Sequence, residues 1–150
     1  MKFEWPHVRH NIPAIVTASV ACCVLLAAWY RLFLDTWLEG IGRNRAWFEG
    51  SGVSLALQCG TAVLAATLIA FTISGFTQMT GAITAPRAMK VAVALWLGCV
   101  LPTRAIQTVF ELRSYGQFAL NAGFWLVAMV AMGAIIGAWG KAGTKQKKQG

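Results

Sequence analysis

Residues 53–76 read VSLALQCGTAVLAATLIAFTISGF, and no Asp, Glu, Lys, Arg or His interrupts them. About twenty residues of α-helix, at 1.5 Å per residue, cross a hydrocarbon core about 30 Å thick. This run is long enough to span and to tilt a little. Apolar strands are a poorer reading, because backbone polar groups in lipid must be satisfied within a helix or a closed barrel. The run also lacks the period-two alternation of a membrane barrel.

Working outward, three similar runs lie at about 11–30, 90–109 and 118–139. The acids Glu4, Asp35, Glu39, Glu49 and Glu111 all fall outside the four runs. Apolar residues make up 57% of the chain and charged residues 12%, about half the charged share of a soluble domain. A soluble domain of 150 residues cannot hide so much apolar side chain from water. The expected fold is therefore all-α: an integral membrane four-helix bundle, one transmembrane domain over 1–150 with a basic tail at 141–150.

Asn11 is placed to cap the first span, and Pro13 sits in its first turn, where a missing N–H costs little. Lys2 and Arg9 ahead of an apolar stretch ending in Ala27-Ala28 also fit a cleaved signal peptide. That stretch is long for a signal core and runs into Trp29, Tyr30 and Phe33, which favours a retained helix. The connection at 31–52 mixes Asp35, Glu39, Arg43, Arg45 and Glu49 with Trp37, Leu38, Ile41, Trp47 and Phe48. Such a segment suits a short interfacial helix broken near Gly40 and Gly42, with Trp29, Tyr30, Phe33 and Trp37 as aromatics of the headgroup zone. An irregular loop with aromatic anchors is the alternative. Gly81 and Pro86 signal the second connection, and the short third one, 111–116, makes the last two spans an antiparallel hairpin.

The net charge of +8 does not indicate a nucleic-acid partner. Its Lys and Arg residues flank apolar runs or fill the tail, and no basic stripe with interleaved aromatics covers a face. Across four spans, Lys2, Arg9, Arg87, Lys90, Lys141, Lys145, Lys147 and Lys148 fall on one side. Arg31, Arg43, Arg45 and Arg113 fall on the other, and Arg104 lies within the third span. The positive-inside bias puts both termini in the cytoplasm, with membrane lipids as the expected contact, anionic lipid at the tail included.

Cys22, Cys23, Cys59 and Cys99 lie in apolar runs without a Cys-x-x-Cys spacing and read as small gap-fillers between helices. His7 and His10 are outside the spans, so no metal, haem or other cofactor is expected. Stripes of small residues supply close helix contacts: at one-turn spacing Ala14, Ala18 and Cys22, then Ala94, Gly98 and Pro102, and Gly133 with Gly137, to which the second run adds Gly60, Ala66 and Ala70. Pro102 should bend the third span and free a carbonyl near Gly98, for which Thr103 or a water is a substitute partner.

Arg104, Gln107, Thr108 and Glu111 share one broad helical face, and Gln58 and Asn121 sit at a matching depth. An arginine here can snorkel outward. A structural polar cluster and a ligand or transport cavity are both open readings of this face.

The segments Asn11-Ile12-Pro13, Trp29-Tyr30, Phe33 and Trp37 together resemble the opening of the bacterial membrane family called domain of unknown function 1761. The likeness continues through Phe110-Glu111-Leu112-Arg113-Ser114, Asn121-Ala122-Gly123-Phe124 and the segment at 133–139, so it covers roughly residues 11–139. Where the family often has Gly before the Trp-Tyr pair and Ser-Pro after it, this chain has Ala27-Ala28 and Arg31-Leu32. The resemblance implies four spans in a bacterial inner membrane and no established reaction, substrate or cofactor. No catalytic constellation is visible: there is no His-x-x-His, no nucleotide-binding glycine loop and no paired-acid site. The expected function is noncatalytic, in assembly, envelope maintenance or as a partner subunit of a membrane protein or homo-oligomer. The alternative is a subunit of a small homo-oligomeric transporter or channel.

Overall fold

Asn11 does cap the first helix: its Oδ1 accepts from the Ala14 amide at 3.4 Å, and Pro13 lies in the first turn. In the computed structural model, which describes residues 10–52 and 54–146 (140–146 as backbone only), this helix, α1, runs from Ile12 to Gly40. The charge-bias residues Lys2, Arg9, Lys147 and Lys148, like His7, lie outside the described residues, and the side chains of Lys141 and Lys145 lie outside what is described.

The helix continues well past residue 30, where span 1 was expected to end. The physical reason is that Trp29, Tyr30, Phe33 and Trp37 find helical contacts with one another and with a later helix, rather than turning out as loop anchors. The extension is bent at Phe33, whose φ of −116° and ψ of 15° leave the helical region. It stops at Gly42, whose φ of 66° lets Arg43 N–H reach the Leu38 carbonyl and Gly42 N–H the Glu39 carbonyl, a Schellman ending. A short helix, α2 (Arg45–Glu49), follows, with Asn44 Oδ1 accepting from the Trp47 amide. Arg45 grips Asp35 with two bonds of 2.7 and 2.8 Å and ties α2 back to α1. Both groups are exposed, so the pair sets geometry more than stability.

The second crossing, α3 (Leu55–Met79), is capped by Ser54 and ends at Gly81 in the same Schellman pattern, Ala82 N–H to Thr77 carbonyl. The third crossing, Ala85–Phe110, is continuous but composite: α4 (Ala85–Leu95), a π-helical turn over Trp96–Val100, and α5 (Leu101–Phe110). The fourth, α6 (Tyr115–Gln146), is apolar as far as Trp139. Four helices are thus long and apolar enough to cross a membrane, and the chain is an all-α, multi-pass bundle with a short helix between the first two crossings.

The ending of α5 repeats the Schellman bonds, Arg113 N–H to Thr108 carbonyl and Leu112 N–H to Val109 carbonyl. Here the left-handed position is held by Leu112, with φ 52°, and not by glycine. A side chain in that region costs about 1–2 kcal/mol, and Leu112 recovers little through burial, being 93% exposed.

Helix α6 is the hub, touching α1, α3, α4 and α5. Ile15, Ala18 and Cys22 of α1, with Ala66, Ala70 and Ile73 of α3, close on Phe124, Ala128, Met129, Met132 and Ile136 of α6. Gly133 and Gly137 sit against α4: a Cβ at Gly133 would lie 2.9 Å from the Ala88 carbonyl oxygen, and one at Gly137 would lie 2.7 Å from Ala88 Cβ. The complementary stripe on α4 is Ala88 and Ala92, both fully buried. The expected stripe on the third crossing, Ala94, Gly98 and Pro102, instead faces outward, and nothing lies within 4 Å of a Cβ built at Gly98. The reason is angular: positions 88 and 92 already occupy the inward face, and 94 and 98 lie about 200° from 92 and 96 at 100° per residue. Gly60 is likewise open. Cys22 is buried as a gap-filler, whereas Cys59 and Cys99 are on the outer surface.

Candidate functional site

One end of the bundle, the loop end, gathers the end of α1, the α5–α6 turn and the start of α6. The π-helical turn is what brings polar residues inward there. Pro102 cannot donate to a carbonyl in the preceding turn, and Leu101 N–H instead reaches back five residues to the Trp96 carbonyl. Thr103 Oγ1 donates to the Cys99 carbonyl at 2.6 Å, the same i−4 back-bond that Thr67 and Thr72 make, and not to the Gly98 carbonyl four residues before Pro102. Trp96 Nε1 fastens the turn to the Ala122 carbonyl at 2.9 Å. In an uninterrupted helix the face of Ala88 would rotate by about 200° over twenty residues. The extra residue in the π-turn returns about 100° of that, leaving Thr108 buried and Arg104 half-buried against α6.

A cavity of about 270 Å³ results, between α1, α5 and α6. Arg104, Gln107, Glu111 and Asn121, four of the predicted cluster, line it together with Tyr30 and Trp37. The fifth, Gln58, does not: it lies one turn into α3, on a neighbouring hollow that shares only Tyr30 with the cavity. Arg104 Nη1 donates to Gln107 Oε1 at 3.1 Å. Glu111 is not the partner of Arg104; it pairs with Arg113, two residues on. Tyr30 donates its hydroxyl to Asn121 Oδ1 at 3.4 Å.

Of the predicted interfacial aromatics, Tyr30 and Trp37 line the cavity, while Trp29 and Phe33 pack nearby without lining it. Tyr30 meets Trp37 edge-on at 5.7 Å, and Trp29 lies 4.9 Å from Phe33 and 6.0 Å from Phe124. Beside the cavity α1 and α6 approach closely: a Cβ at Gly40 would lie 3.0 Å from Gln117 Cβ.

Gln117 is the residue that reading the sequence did not single out. Ser114 and Gln117 have the spacing of a capping box, and half of it forms, Ser114 Oγ accepting from the Gln117 amide at 3.2 Å. The reciprocal bond is not made. Gln117 is 3% exposed, and both its side-chain amide atoms are buried with no partner in the protein. A buried donor or acceptor left in that state costs about 1–3 kcal/mol.

At the opposite end, His10 Nδ1 lies 3.2 Å from Ser74 Oγ, and Gln78 Nε2 donates to the same hydroxyl at 3.3 Å. His10 also stacks edge-on against Phe71 at 5.1 Å. This cluster, too, was not anticipated; it fastens the start of α1 to α3. Among the described residues no three His, Cys, Asp or Glu side chains gather as a metal group would require.

Residues 13–137 match the family described as Protein of unknown function (DUF1761). The chain belongs to DUF1761. The match takes in all four crossings and every residue of the loop-end cavity. No curated protein and no solved structure matches the chain. The family description assigns no activity, so the cavity and the outer surface of this DUF1761 protein carry the functional argument.

Proposed function

We propose that this protein is a noncatalytic membrane subunit that works by associating with another membrane protein or with its own copies, in assembly or envelope maintenance. The supporting observation is the outward stripe Ala94, Gly98 and Pro102 on the third crossing, exposed along two turns with open space at Gly98. In lipid, helices associate by close backbone approach, and an outer groove of small residues admits a neighbouring helix. The cavity supports a noncatalytic reading: its one carboxylate is paired with Arg113, and neither His nor Cys lines it.

Gly98→Leu is the test. With nothing near its Cβ, the variant should keep the wild-type unfolding midpoint, while the oligomer or co-purified partner in mild detergent should fall at least tenfold. Wild-type assembly in Gly98→Leu would remove the reading. A homo-oligomeric transporter or channel is the second reading, favoured by the polar cavity alone. Beneath Asn121 the interior is filled by Phe124, Ala128, Met129 and Met132, so a passage would have to run between copies.

The same reading locates the protein in a bacterial cytoplasmic membrane with both termini in the cytoplasm, supported by the eight-to-four bias of Lys and Arg between the two sides. A compartment-sensitive reporter fused after Gly150 should report cytoplasm; periplasmic activity would reverse the orientation.

A further inference from the structure

We infer that two hollows stacked along the bundle form one binding site for an anionic membrane lipid, with its head in the loop-end cavity and the start of a chain below. Both hollows are bounded by α1 and α6. The loop-end cavity takes Tyr30 and Trp37 from α1, Asn121 from α6, and its third side from α5. The lower hollow, of about 450 Å³, takes Cys22, Leu26 and Tyr30 from α1, Trp125 from α6, and Leu57 and Ala62 from α3. Residue order along α1 and α6 therefore sets one hollow on the other, with Tyr30 at the junction. The third side changes because α3 begins only at Leu55, close to the level of Tyr30, and α5 closes the space above it.

The chemistry of the two hollows differs as the two ends of a lipid differ. In the upper one, Gln107 Oε1 accepts from Arg104, and Asn121 Oδ1 accepts from Tyr30. The acceptor ends of both amides are engaged within the protein, so their NH₂ donors are what they offer a ligand. Gln107 is exposed and the Asn121 donor is not closed off, so both can be reached. Arg104 adds the rest of its guanidinium and, among the described residues, has no carboxylate partner, because Glu111 pairs with Arg113. Three accessible donor groups with one uncompensated positive charge suit an anion that presents acceptors, as a phosphate does. Basic pockets between membrane helices hold lipid heads in this way. The lower hollow is walled mainly by aliphatic and aromatic carbon, and the Thr61 hydroxyl there is engaged by the Leu57 carbonyl of its own helix. From Cys22 to Tyr30 it follows α1 for about 12 Å. Leu57 and Thr61 on its rim are exposed, so a chain enters from the bilayer without unpacking the bundle. Moving from lipid into this hollow gives a chain no hydrophobic gain. Selectivity therefore rests on the head, and the hollow fixes its depth. Gly98 lines neither hollow, so the site stands whether or not the outer stripe takes a partner.

Purified full-length protein, stripped of lipid in neutral detergent, is titrated with phosphatidic acid in mixed micelles while Tm is followed. Phosphatidylcholine with the same chains cancels the charge of the head, and glycerol 3-phosphate presents the head without chains. Phosphatidic acid should raise Tm saturably, with an apparent affinity at least tenfold above either control. Arg104→Gln should remove the preference for phosphatidic acid over phosphatidylcholine. Ala62→Phe fills the lower hollow from the α3 side and touches none of the upper donors. It should weaken the response to phosphatidic acid at least tenfold at an unchanged ligand-free Tm, and it decides the matter if Arg104→Gln does not fold. No saturable response to phosphatidic acid, or an equal response to phosphatidylcholine, would overturn the assignment. So would undiminished binding by Ala62→Phe, or an equal response to glycerol 3-phosphate, which would mark a site for a soluble anion instead.

Discussion

Gly137→Ala is expected to lower the stability of the bundle by about 1–3 kcal/mol, the usual cost of forcing an extra carbon into a packed interior, and Gly137→Leu to prevent α4 from docking on α6. The added Cβ would lie 2.7 Å from both Ala88 Cβ and the Thr84 carbonyl oxygen and 2.8 Å from Ala85 Cα. Two of these three are backbone atoms and cannot swing aside as a long side chain would. Relief requires the helices to move apart, which also strips contacts from Gly133, one turn away and 2.9 Å from the Ala88 carbonyl by the same measure. Packing carries most of the association energy between helices in lipid, so separation is not offset elsewhere. Ala138, on the adjacent stripe but exposed, should accept leucine with little change. Unfolding midpoints in detergent for Gly137→Ala, Gly137→Leu and Ala138→Leu decide it. A wild-type midpoint in Gly137→Ala would mean that α4 and α6 do not meet there.

The fold was legible because lipid imposes a blunt rule. Four apolar runs of about twenty residues, free of acids and with Lys90 and Arg104 as their only basic residues, can do little else, and Asn11, Gly81 and the connection at 111–116 marked ends that the structure keeps. That the first helix runs on past Tyr30 to Gly40 was not legible. Charged residues from Arg31 onward suggest an exit from the membrane, but charge does not stop a helix. Arg31, Asp35 and Glu39 are exposed, while Tyr30, Trp37 and Leu38 turn toward α6 on the other face. A run that is apolar all round gives no angular information, which is why Gly133 and Gly137 could be named as a packing stripe without their partners Ala88 and Ala92.

The cavity was half legible. Spacings of three, four and seven put Arg104, Gln107 and Glu111 on one face, and the structure does gather them. What the spacing could not supply was the π-helical turn, which alters the rotation between Ala92 and Arg104, or the local competition for Glu111. Arg113 is only two residues from Glu111 across a left-handed turn at Leu112, and that proximity defeats an arginine seven residues away. Gln117 was not singled out in the sequence, where its place three residues after Ser114 has the spacing of a capping box. Its significance lies in a bond that is not made, and no pattern of residue types announces such an absence.

Phe124→Ala should cost about 2 kcal/mol, less than the 3–5 kcal/mol typical of a buried phenylalanine in a soluble core. The ring is 3% exposed and lies between Trp29, Tyr30 and Trp125, with centroids 6.0, 6.4 and 5.1 Å away. The soluble value adds a transfer term, for moving the ring out of water, to a cavity term. When membrane helices separate, the ring goes into hydrocarbon and the transfer term largely vanishes. The cavity term survives, because the three aromatic neighbours lose dispersion contacts that lipid chains cannot restore inside the bundle. Phe110, 83% exposed, has no such contacts to lose, and Phe110→Ala should leave the midpoint within about 0.5 kcal/mol. Phe124→Leu should recover much of the loss by refilling the space. The effect should reach the cavity as well: Tyr30 rests on Phe124 and bonds Asn121, so the hole lets the tyrosine sink away from the wall that holds Arg104. A loss near 4–5 kcal/mol would show that separation exposes the ring to water, and a loss under about 0.5 kcal/mol would show that it is not packed at all.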